Sequence, residues 1–266
     1  MKNSSINDLF KSTLLLAGSF VFAFLWGEMV HEYGHYISHL IFGNTNVSVY
    51  LNPFGSSRIM GVTNLPLRQM GITAAAGPLT NLTFGLLVMS LLWNKMGLTL
   101  MPLLLWGPVV MIQEGVTFSL GLLTPGGDAE WISTLGIPKT IILITGILSI
   151  FSGLFILSWL LSRIGITEGR SRLENFGIII LGMCSLMLIR FLYSVTIQPQ
   201  FILEDLVPLI FSLLLAGIVV LIQPVIVKNL KGVSRNPYPT MNKWAIITAA
   251  AMGSGVFVFQ FLYSIL

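Results

Sequence analysis

Charge is scarce in this chain. Only 9 % of its 266 residues are Asp, Glu, Lys or Arg, whereas 55 % are hydrophobic types. A soluble domain carries about a quarter charged residues, so the groups needed to cover a water-facing surface are missing and a free cytosolic enzyme is excluded. Cysteine occurs once, as Cys184 within an apolar run. No intrachain disulfide is possible, thiol redox chemistry is not indicated, and the side chain reads as buried filler. Internal repeats of about 20–50 residues are also lacking, which removes the signature of an inverted-repeat transporter. Basic residues outnumber acidic ones by 14 to 10. They sit mostly between apolar runs, where anionic lipid headgroups are their partners, so the excess argues against nucleic-acid binding.

What remains is hydrocarbon, with a mean hydropathy of +0.87. A bilayer core of about 30 Å takes about 20 apolar residues in helix. By that ruler the sequence predicts an all-α multi-pass membrane protein with about seven transmembrane helices, near 11–42, 71–93, 98–123, 139–162, 175–197, 206–227 and 244–265. The first is expected to be a retained helix, not a cleaved signal, since it lacks a small-residue cleavage site and carries His and Glu. Residues 44–70 read differently. Val-Ser-Val-Tyr alternation followed by Asn-Pro, Gly and Ser predicts a short β-like linker of strands and turns, lying against the bilayer or dipping into a protein-lined cavity. A second break, Thr-Pro-Gly-Gly-Asp at 124–128, ends the third span.

With seven spans, Lys2, Lys11, Lys95, Arg163, Arg170, Arg172, Lys228, Lys231, Arg235 and Lys243 collect on one side and only Arg58, Arg68 and Lys139 on the other. The positive-inside rule then makes the N-terminus cytoplasmic. Arg190, near the end of the fifth span, is expected to snorkel to the interface.

All three histidines fall in His31-Glu32-Tyr33-Gly34-His35-Tyr36-Ile37-Ser38-His39. On a helix, residues i and i+4 project from one face, so His31 and His35 can offer nitrogens to one metal with Glu32 beside them to handle a proton. This is the HExxH signature of zinc peptidases. Unpaired ionisable groups in hydrocarbon cost several kcal/mol, which weighs against plain core histidines. His39 lies another turn along, too far for the same ion, and reads as an interfacial or supporting residue.

Two histidines leave a zinc site short of a third protein ligand. The oxygen donors in or near the spans are Glu28, Glu114, Asp128 and Glu130, with Glu204 and Asp205 more distant. Asp128 is the best of them, because the glycines before it let the backbone bend and carry a short carboxylate inward; Glu130 reads as a solvated loop charge. Glu28 is equally suited to a ligand imidazole and to an Arg partner, and Gln113 and Glu114 must face protein or water. Gly77, Asn81 and Gly85 form a strip of spacing four on which another helix can pack closely, and Pro78 frees a backbone carbonyl.

Three blocks, HEYGH at 31–35, AAAGPLTNLTFG at 74–85 and LLTPGGDAEWI at 122–132, resemble in order the motifs of the site-2 proteases, which are intramembrane zinc metalloproteases. The resemblance covers residues 1–135, as a catalytic core of three helices plus the β-like linker. Residues 136–266 add transmembrane helices without a recognised counterpart. It implies that His31, His35 and Asp128 bind Zn2+, that Glu32 is the general base, and that Asn81 contacts substrate or intermediate. The sequence departs from the family pattern at Ala129, where Gly is usual, and at Leu123-Thr124-Pro125, which stands in place of Asn-x-x-Pro. The family usually opens its site toward the cytosol, whereas the basic-residue count puts His31 and Asp128 nearer the opposite face.

The expected activity is hydrolysis of peptide bonds in or near transmembrane segments of membrane-protein substrates, with an edge of the linker presenting the unwound substrate. The lipid bilayer is the other expected partner. Two rivals accompany this reading. One is a non-proteolytic membrane zinc protein, either a transporter or a pseudoprotease. The other is a polytopic HExxH protease of the prenyl-protein-processing type, in which Glu114 or Glu130 would be the third ligand.

Overall fold

A computed structural model describes residues 6–62, 64–95, 97–123, 126–164, 166, 170–229 and 242–265. Lys2, Thr124, Pro125, Lys231 and Arg235 lie outside these, as do the side chains of Glu204 and Lys228. The elements run α1 (Ile6–Ile41), β1 (Val47–Tyr50), β2 (Arg58–Gly61), α2 (Leu67–Leu92), α3 (Met101–Leu120), α4 (Asp128–Ser133), α5 (Lys139–Ile164), α6 (Arg172–Thr196), α7 (Ile202–Asn229) and α8 (Lys243–Ile265). Seven of the helices, all but the short α4, are long and apolar enough to cross a membrane. The protein is an all-α multi-pass membrane protein, as the hydropathy pattern predicts.

The linker is an antiparallel hairpin in which Val47 pairs with Gly61, Ser48 with Met60, Val49 with Ile59 and Tyr50 with Arg58. Its alternation has a physical basis. Val47 and Val49 point to one face and are buried, and Ser48 between them is exposed, as the two-residue period of a strand requires. β1 and β2 both rest on α1.

α1 is the axis of the bundle. α2, α3, α6 and α8 all pack against it, α5 backs α3, and α7 fills the space between α5 and α6. A single apolar core joins Leu15 and Leu16 of α1, Leu104 and Leu105 of α3, and Leu157, Leu160 and Leu161 of α5, so residues on both sides of position 135 share it. In a bundle surrounded by lipid, burying apolar surface gives little drive for association, and close van der Waals packing carries more of the load. The contact between α1 and α8 illustrates this. A methyl group placed on Gly18 would come within 2.7 Å of the Ala249 carbonyl oxygen, and one on Gly253 within 2.6 Å of the Gly18 carbonyl oxygen. The two backbones therefore touch at Gly18 and Gly253, which lack side chains. Gln260 of α8 then donates to the Leu25 carbonyl of α1 at 2.7 Å.

The structure corrects the expectation for Arg190. Instead of reaching out to the interface it is 6 % exposed and forms an ion pair with Glu28 at 2.8 Å. An inward carboxylate partner makes burial of the guanidinium cheaper than extension along the helix surface. Cys184 is a free, buried thiol.

A Gly18→Leu substitution is expected to separate α1 from α8 and lower stability by about 1–3 kcal/mol, the usual cost of overpacking. The measurement is the thermal midpoint in detergent; a midpoint equal to that of the unaltered protein would refute the close-contact account.

Candidate metal centre

His31 and His35 lie one turn apart on α1 and are both buried. Each ring is fixed by what its Nδ1 meets. His35 Nδ1 lies 2.7 Å from the Thr73 carbonyl oxygen. A carbonyl only accepts, so this nitrogen carries the hydrogen and donates. Thr73 lies in the turn of α2 before Pro78, whose missing N–H already deprives that turn of one intrahelical bond. His31 Nδ1 lies 2.9 Å from Oε1 of Glu114. That oxygen already accepts from Asn81 Nδ2 at 2.6 Å, so His31 Nδ1 is also a donor.

With both Nδ1 atoms committed as donors, the neutral rings present their Nε2 lone pairs inward, and these face each other at 3.0 Å. The third group is Asp128, whose Oδ2 lies 3.1 Å from His31 Nε2 and 3.4 Å from His35 Nε2. Two lone pairs and a carboxylate oxygen so close together repel unless a positive charge lies between them. For a tetrahedral ion bound at about 2.0–2.1 Å, neighbouring ligand atoms are about 3.4 Å apart, and the observed triangle has nearly that size. His31, His35 and Asp128 form a group that can hold a metal ion. The three ligands expected from the sequence thus come together, although Asp128 is far from the histidines along the chain.

Local structure explains the arrival of Asp128. Gly126 adopts φ 77°, a conformation that residues with a Cβ rarely accept. The chain turns there, and Asp128 opens α4. Glu130, expected to be a solvated charge, instead closes this turn: its Oε2 accepts from the Gly126 amide at 2.6 Å. Ala129 and Ile132 seat α4 in a small apolar cluster with Ala74 of α2 and Ile142 of α5. As the carboxylate, Asp128 is the anion that a metal requires.

A second layer supports the histidines. Glu114 is 0 % exposed and orients His31 from behind, with its own Oε2 buried and unpartnered among the described residues. The sequence singles out Glu114 as an alternative ligand, whereas here it sits on the ring nitrogen opposite the Asp128 side. Asn81, expected beside substrate, is 0 % exposed. The structure puts it behind His31, its amide donating to Glu114 and its carbonyl accepting from Trp106 Nε1 at 3.3 Å. Trp106 escaped the sequence reading, where one Trp in an apolar span gives no signal. Gly77 faces His35 so closely that a Cβ there would collide with the imidazole. The small-residue strip therefore serves the site as well as helix packing.

Glu32, between the two histidines, is buried and has no hydrogen-bond partner among the described residues, and the groups acting on it electrostatically include His31, His35 and Asp128. His39 stands outside the group, its Nδ1 near the Asn44 amide at 3.4 Å. Glu28 takes the Arg partner and not a ligand imidazole. The chain matches no protein-family profile, no curated protein and no solved structure.

If Glu114 orients His31, Glu114→Gln and Glu114→Ala should weaken metal binding roughly 10–100-fold, the usual cost of losing such a partner. Chelator competition on purified protein measures this. Equal affinity in all three proteins would show that His31 needs no support from Glu114.

Proposed function

We propose that the protein is an intramembrane zinc metalloprotease that cleaves peptide bonds in or near the transmembrane segments of membrane-protein substrates. One observation carries the reading: the Nε2 atoms of an HExxH pair and a carboxylate oxygen converge within 3.0–3.4 Å, with both Nδ1 atoms engaged by acceptors. The resemblance to site-2 proteases in the same three sequence blocks supports it.

His31, His35 and Asp128 would hold Zn2+, a choice favoured by two imidazoles and one carboxylate. Bound there, zinc supplies Lewis acidity, lowering the pKa of a coordinated water toward about 7 and polarising the scissile carbonyl. The chain's own groups do the rest. Glu32, without a hydrogen-bond partner among the described residues and beside both ligands, takes the proton from water and passes it to the leaving amine. Glu114, Asn81 and Trp106 hold the His31 ring in its donor tautomer, so that its Nε2 keeps facing inward. A helical substrate has its carbonyls engaged, so it must be unwound. The hairpin supports strand addition, because β2 is largely exposed along its length.

The rivals fit less well. A transporter needs donors along a path, whereas among the described residues one such group is found. The prenyl-processing type needs Glu114 or Glu130 on the metal, yet these engage His31 Nδ1 and the Gly126 amide.

Glu32→Gln should lower cleavage of a single-span test substrate by about 10²–10⁴-fold with metal content unchanged. Retained cleavage would remove Glu32 from the chemistry, and loss of metal would make it structural. Met60→Pro, which breaks the β2 edge, should abolish cleavage with metal still bound; undiminished cleavage would rule out strand addition.

A further inference from the structure

The loop joining β1 and β2 does not stay near the end of α1. It returns about 20 Å along that helix, at 1.5 Å per residue, to the level of Glu28. There Arg190 of α6 gathers three partners. Its Nη2 donates to Glu28 Oε2 at 2.8 Å and to the Asn52 carbonyl at 3.5 Å, and its Nε donates to the Pro53 carbonyl at 2.9 Å. The next residue, Phe54, enters an aromatic seat. It stacks on Tyr193 of α6 with centroids 4.1 Å apart and meets Phe257 and Phe261 of α8 edge-on at 5.1 and 5.9 Å.

Irregular backbone beside membrane spans persists only where protein satisfies its polar groups, and Arg190 satisfies two of these carbonyls. The same guanidinium is tied to α1 one turn before Glu32. A cavity of about 350 Å³ adjoins the pair, with Ser56 of the loop, Glu28 and Arg190 on its wall. The hairpin tip is therefore held by helices that lie outside the resemblance to known proteases, through contacts that bypass the metal ligands.

We propose that Arg190 and the Phe54 seat form a latch by which α6 and α8 fix the hairpin relative to α1, and that Arg190 is a positioning residue for peptide substrate carried on the hairpin. The second clause rests on the proteolytic reading above. An arginine suits the task because its planar fork bonds a carboxylate and two carbonyls at once, which a lysine cannot reproduce.

The test uses the full chain with Cys184→Ala and Val49→Cys, Val49 being 7 % exposed in β1, and a water-soluble maleimide. Into this background go Arg190→Met, Arg190→Lys and Phe54→Ala. In Arg190→Met and in Phe54→Ala, labelling of the cysteine should accelerate roughly tenfold or more as the hairpin lifts. KM for a single-span substrate should rise roughly tenfold with kcat within about twofold and metal content unchanged. Arg190→Lys should recover part of both effects. Unchanged labelling in both Arg190→Met and Phe54→Ala would overturn the latch. Loss of metal or of folded protein in Arg190→Met, with Phe54→Ala silent, would overturn it too, making Arg190 a purely structural support. Faster labelling with unchanged KM would overturn the substrate role. No cleavage even by the unaltered chain would defeat the proteolytic reading and that role together, while labelling would still decide the latch.

Discussion

Two imidazole nitrogens with their lone pairs turned toward each other at 3.0 Å set the terms for everything around them. The arrangement cannot relax by rotating a ring, because each opposite nitrogen is anchored, one to the Thr73 carbonyl and the other to the Glu114 carboxylate. It cannot relax by moving the helix either, since Gly77 brings α2 against the His35 ring. Asp128 adds a carboxylate oxygen from the far side, and a cation between the three would answer the repulsion. α2 contributes two constraints, and α3 and α4 one each, to a pair of residues on α1.

Holding such a group inside an apolar bundle is costly. Buried polar atoms without partners destabilise a fold by about 1–3 kcal/mol each, and Glu114 Oε2 and Gln113 Oε1 are such atoms. Both sit on α3, in the layer next to His31. Serines of the bundle are satisfied locally: Ser19 bonds the Leu15 carbonyl and Ser158 the Leu154 carbonyl, each one turn back. Two buried atoms without partners among the described residues thus lie on α3 beside the histidine helix, while Gln260 Oε1 of α8 lies away from the site.

Arg190 is the counterpart of this economy in the second half of the chain. A guanidinium inside a helical bundle is stable only with a carboxylate and further acceptors, and it finds them on α1 and on the loop of the hairpin. The same contacts that stabilise the charge bring three distant stretches of sequence together, residues 28, 52–53 and 190. Helices that read as anchors are therefore connected to the hairpin and, through Glu28, to the helix that carries His31 and His35.

The sequence by itself determined the spans, the β-like character of the linker and the spacing of the histidine pair, because each rests on a short-range period: about 20 apolar residues per crossing, two per strand repeat, four between His31 and His35. Asp128 was also legible, through the glycine that turns the chain before it. Glu114, Asn81 and Arg190 were visible as polar residues in apolar helices, but their roles were not, and Trp106 gave no signal. A helix written as a string shows which residues are unusual, while the face each presents depends on its rotation against neighbours far away in the chain. Only the packing of α2, α3 and α6 around α1 decided that Glu114 holds His31 from behind, that Asn81 serves Glu114, and that Arg190 turns inward to Glu28.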